Sequence, residues 1–149
     1  MSLSVYAEAS PGTVFSNNGA MTNPVTDVVY GRESQETERK VYVRSDDAHS
    51  YTGVTVGAYS TLGDADINPI LSGATGWGIK LLADAGHTPT QAEWDAQSWA
   101  SETEGHITLD DISDSDTYVP FWYKLVSPAR ASVGLKTNIS FVLMYKETV

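Results

Sequence analysis

The chain has 149 residues, no cysteine and a net charge of −10, from 19 acids against 9 Lys and Arg. One domain with a sizeable core is expected at that length, and disulfides and Cys-held metals are excluded. Nucleic acid is a poor partner for so acidic a chain, because phosphate binding needs clustered Lys and Arg.

No membrane partner is expected either, since no window approaches ~20 apolar residues. The start, MSLSVYAEASPG, lacks the basic residues and long apolar run of a signal peptide. The negative charge is uneven. Between Leu81 and Tyr123 lie nine acids and no Lys or Arg. The plain reading is a solvated face, and the sharper one is a docking surface for a basic neighbour or a divalent ion.

Residues 1–24 are rich in Ser, Asn, Gly, Thr and Pro and are expected to form an extended N-terminal arm. Val5, Tyr6, Val14 and Phe15 would be its anchors on another surface. The alternative is that Leu3–Ala7 forms an edge strand of the sheet. The sandwich domain is expected over 25–149. Val25–Tyr30 can form a short strand and Gly31–Thr37 a polar loop. In Glu38–Ser45, ERKVYVRS, alternation puts Val41 and Val43 inward and Lys40, Tyr42 and Arg44 outward. After a turn at Asp46–Ser50, Tyr51–Ala58 reads as its hairpin partner, with Thr52, Val54, Val56 and Ala58 on one side.

Leu62–Gly76 reads as a long loop. Its Asp64-Ala65-Asp66-Ile67-Asn68 begins like a calcium loop, but Pro69 and Thr75 stand where glycine and the bidentate glutamate belong. Trp77–Leu82 is the next expected strand, with Trp77, Ile79 and Leu81 facing the core. A helix is expected over about Pro89–Ser98, capped by Thr88 with Pro89 at the first position. Trp94 and Trp99 are five apart and do not share a face, so one of them should seal the sandwich edge.

His106–Leu109 reads as a short strand and Asp110–Asp116 as an acidic turn. Asp110, Asp111, Asp114 and Asp116 are the one candidate set for a hard cation, with an exposed turn as the plainer account. His49, His87 and His106 have no ligand spacing. Gly73–Gly78 lacks the order of a dinucleotide fingerprint, and no catalytic signature or cofactor motif occurs.

Thr117–Val126, TYVPFWYKLV, and Thr137–Glu147, TNISFVLMYKE, are the two strongest strands. Val119, Phe121, Tyr123 and Leu125 share one side of the first. Ile139, Phe141, Leu143 and Tyr145 share one side of the second. The two are expected to lie side by side and wall the core of an all-β sandwich. Trp122 then points outward and wants a covering segment or a partner. Exposed Trp122, Trp99 or Tyr51 would also suit a glycan-binding module.

The blocks KVYVRSDD, YTGVTV, TPTQAEWDA and DISDSDTYVPFWYKLVSPA, followed by a last apolar strand, occur in an order that resembles small immunoglobulin-like structural proteins of tailed bacteriophages. The resemblance spans about Glu38–Tyr145 and rests on packing motifs. It implies an immunoglobulin-like β-sandwich and a non-enzymatic virion component without a cofactor. It further implies a capsid decoration or cement protein, or a tail or baseplate accessory protein. The partners it implies are the major capsid protein or other virion subunits, and further copies of the chain on the lattice.

Overall fold

Period-two alternation of apolar residues gives strands with one greasy face, and such faces must be covered. The computed structural model describes residues 3–7, 14–16, 36–45, 48–60, 77–101, 103–114, 117–127 and 139–148. The described strands are β1 (Leu3–Tyr6), β2 (Val14–Ser16), β3 (Glu36–Ser45), β4 (Ser50–Ser60), β5 (Gly78–Ala83), β6 (Ile107–Thr108), β7 (Tyr118–Val126) and β8 (Ile139–Thr148). They form a five-stranded sheet in the order β2-β1-β3-β7-β5 and a three-stranded sheet in the order β6-β4-β8. Every described pairing is antiparallel. Among the described residues one short helix, α1 (Gln91–Asp95), accompanies the strands of this all-β sandwich.

Between the sheets lies one continuous apolar cluster. The larger sheet contributes Leu3, Val5, Val41, Val43, Ile79, Leu81, Val119, Phe121, Tyr123 and Leu125, and the smaller sheet Val54, Val56, Ala58, Phe141 and Leu143. Phe121 packs edge-to-face on Phe141 at 5.3 Å between centroids, and Tyr123 leans on the same ring at 5.5 Å. The inward faces of the two strongest strands therefore meet as expected.

They meet across the core rather than side by side. From β3 to β8, successive described strands alternate between the two sheets. β7 pairs with β3 and β5, while β8 pairs with β4. Likewise β4 is not the hairpin partner of β3. Alternation fixes which residues face inward but not which strand sits alongside.

β4 carries a register shift between Thr52 and Thr55, with Gly53 at φ +60° inside it. The extra residue turns Tyr51 into the core beside Tyr145, at 5.0 Å between centroids, and removes Thr52 from the face it was expected to share with Val54. Trp77, expected in the core, is half-buried at its margin.

Leu3–Tyr6 lies between β2 and β3, inside the sheet rather than at its edge. The expected strand Val25–Tyr30, the loop Leu62–Gly76 and its Asp64–Asn68 stretch lie outside the described residues.

Candidate interaction surface

The outward residues of the larger sheet line up in rows. Tyr6 stands opposite Tyr42, and Tyr42 opposite Pro120. In the row on one side, Ser4 faces Arg44 and Arg44 faces Tyr118. In the row on the other side, Lys40 faces Trp122 and Trp122 faces Leu82. The next row is Glu38, Lys124 and Lys80. The result is a strip of three tyrosines, a proline and a tryptophan on one sheet face. Tyr6, Tyr42, Pro120 and Trp122 are half-buried, and Tyr118 is 47% exposed.

Cations from the same face sit over its rings. Lys40 lies 5.9 Å from the Tyr42 centroid and Arg44 5.9 Å from Tyr118. Further along, Lys80 lies 4.7 Å from Trp99 and Lys124 5.5 Å from Trp94. Each ammonium or guanidinium meets the negative face of a π system. Tyr42 and Tyr118 pack edge-to-face at 5.6 Å.

Trp122 is fixed from its polar edge. Its indole N–H donates to Asp84 Oδ1 at 2.9 Å, and Asp84 Oδ2 pairs with Lys40 at 3.2 Å. Burial alone would raise the Asp84 pKa. The Trp122 N–H and the Lys40 ammonium outweigh that and hold it below the usual carboxylate value. The covering group expected for Trp122 is thus in part its own chain.

Lys124 is 3% exposed, and its ammonium pairs with Glu36 at 3.1 Å and Glu38 at 3.4 Å. Two carboxylates and a ring compensate a charge that would be costly to bury alone.

α1 starts later than its sequence suggests. Thr90, not Thr88, is the N-cap: its Oγ1 accepts the Glu93 N–H at 3.3 Å, and Glu93 Oε2 accepts the Thr90 N–H at 2.7 Å. Thr90 and Glu93 have the full capping-box spacing and chemistry, which outcompetes a cap at Thr88. His87 Nε2 adds a bond to the same carboxylate at 2.9 Å. The helix ends at Asp95, well short of Ser98. Trp94 is 1% exposed and covers Lys124, while Trp99 covers Lys80.

The expected anchor residues part company. Val5 is fully buried in its own core, opposite Val43, so it is not an anchor for another surface. Alternation along β1 turns Tyr6 outward, where the register brings it into the strip that also holds Trp122. Val14 and Phe15 lie in β2, and their side chains fall outside the described residues. Tyr51 is buried and withdraws as a glycan contact. Tyr42, Tyr118, Pro120 and Asp84 complete the strip and were not singled out by sequence. Outward alternation was visible for Tyr42, but the β3–β7 register that groups it with Pro120 was not.

The acidic turn is tied to the fold. Asp111 Oδ1 accepts the Gly53 N–H at 3.1 Å, and Asp114 Oδ1 accepts the Thr117 N–H and hydroxyl at 2.9 Å each. Asp110 is exposed, and Asp116 lies outside the described residues. Among the described residues no group of three or more His, Asp or Glu side chains is placed to hold a metal ion.

Comparison with protein-family models, curated proteins and solved structures found no match.

Proposed function

We propose that this chain is a non-enzymatic structural protein of a bacteriophage virion, a decoration protein that docks on the head shell through the outward strip of its larger sheet. The observation that carries the reading is the convergence of Tyr6, Tyr42, Pro120, Tyr118 and Trp122 on one face, beside a half-buried Lys40 and with Arg44 buried against Tyr118. Tyr and Trp are among the residue types that dominate the energetics of protein–protein contacts. The packing motifs over Glu38–Tyr145 that resemble immunoglobulin-like phage proteins support the same reading.

In this account the sandwich is a rigid body and the major capsid protein is the partner. Repetition over a symmetric lattice, beside further copies of the chain, supplies avidity, so each contact can be weak. Attachment to a tail or baseplate through the same face is the nearest variant. Cryo-EM of particles from the phage that encodes the chain decides between them. Density on the head supports decoration, density on the tail moves the site of action, and a chain missing from the particle contradicts both.

A second reading has its own observation. Tyr118, 47% exposed, and the neighbouring Trp122 offer ring surface of the kind on which sugars stack. Titration of tryptophan fluorescence with simple sugars tests this, and a saturable response at millimolar sugar would favour a glycan partner over a protein one.

A further inference from the structure

Residues 84–101 leave the end of β5, turn through α1 and come back to it, where the Ala100 N–H donates to Ile79 O at 2.8 Å. In between they lie over the outward row that contains Lys80 and Lys124. The Lys80 ammonium donates to Trp94 O at 2.9 Å, and the Trp94 and Trp99 rings cover the two lysines.

Two features set this cover apart from the core. Trp94 is almost wholly buried, yet it does not belong to the apolar cluster between the sheets, and its indole N–H is buried without an acceptor. A buried donor without an acceptor disfavours the closed state. The helix itself has five residues, too few to persist without docking. Its cap, Thr90 and Glu93, lies towards solvent.

We propose that 84–101 is a strap that opens as a unit while the sandwich stays folded. Asp84, bonded to Trp122 and Lys40, marks one end, and Ala100, bonded to β5 and buried in the core, marks the other. Opening hydrates the Trp94 N–H and both ammoniums, which offsets part of the lost ring burial. The uncovered row adds Lys80 and Lys124 to the strip beside Trp122, while Trp94 and Trp99 leave with the strap. The strap therefore sets how much of the outward face a partner meets. This inference concerns the isolated chain and stands whether or not the virion reading holds.

Amine labelling of Lys124 followed by mass spectrometry tests it, together with hydrogen exchange of the Trp94 indole. Both should react at least about a hundredfold more readily than global unfolding permits, as set by the slow amides of Phe121 and Tyr123 in the central strand β7. Trp94→Phe keeps a ring and removes the orphan donor, and should slow Lys124 labelling about tenfold. Trp94→Ala should speed it with the Phe121 and Tyr123 amides still protected. Lys124 and Trp94 reacting no faster than global unfolding allows would overturn the proposal, as would labelling of Trp94→Phe at the wild-type rate. If Trp94→Ala does not fold, the other two measurements still decide.

Discussion

Phe121 of β7 and Phe141 of β8 meet edge-to-face, 5.3 Å between centroids, from opposite sheets. Both are fully buried, so the contact joins the two layers at the centre of the core. Phe121→Ala or Phe141→Ala should each cost about 3–5 kcal/mol. A double-mutant cycle by urea unfolding should give a coupling of about 0.5–1.5 kcal/mol beyond burial. Strictly additive losses would mean that the rings do not touch.

Leu3 and Val5 are fully buried, which makes β1 part of the sandwich rather than a detachable arm. Leu3→Ala should cost about 2–5 kcal/mol, as a buried leucine does. Removing residues 1–24 should then destabilise or unfold the chain, which urea melts of the truncated protein would show. An unchanged midpoint would contradict the placement of β1.

Gly53 holds φ +60° in the β4 register shift, and a Cβ built there meets nothing within 4 Å. Backbone strain alone therefore opposes a side chain. Gly53→Val should cost at least about 1–2 kcal/mol, and Gly53→Asn less, because Asn tolerates the left-handed region. Thermal melts of the two variants measure the difference.

The cap of α1 is acid-sensitive with a defined sign. The Thr90 backbone N–H first, then the Thr90 hydroxyl and His87, hold Glu93 below the ordinary carboxylate value of 4.5. A depressed folded pKa means that the stabilisation is fully present above the unfolded value and is lost as pH falls through the folded one. An NMR titration should thus show a Thr90 amide step whose midpoint lies below 4.5, and Glu93→Gln should abolish that step. Asp84 has the same sign, so the Trp122 indole resonance should titrate with a midpoint below 3.8.

Inward faces were legible in the sequence because alternation is local: Val41, Val43, Phe121 and Phe141 point where their spacing puts them. Partnership between strands was not, because nothing in the spacing of β3 and β4 says that the chain crosses to the other sheet between Ser45 and Ser50. The Gly53 shift was hidden for a related reason: one inserted residue exchanges the faces of Tyr51 and Thr52 without disturbing the apolar count. Trp122 was legible as an outward ring, whereas its tie to Asp84 spans 38 positions and needs the fold. The capping box was present as Thr90-x-x-Glu93, but the proline at 89 drew the expected cap two residues early.

On the proposed reading, the outward strip of the larger sheet is where the chain meets its partner. Binding of purified protein to undecorated phage heads, compared between Tyr118→Ala/Trp122→Ala and Met144→Ala, tests it most directly. Met144 is 42% exposed on the other sheet and serves as the control. With folding verified by urea melts, the double variant should bind at least roughly 30-fold more weakly, the effect of losing a hot spot, and Met144→Ala should bind like wild type. Equal binding by the two variants would contradict the account.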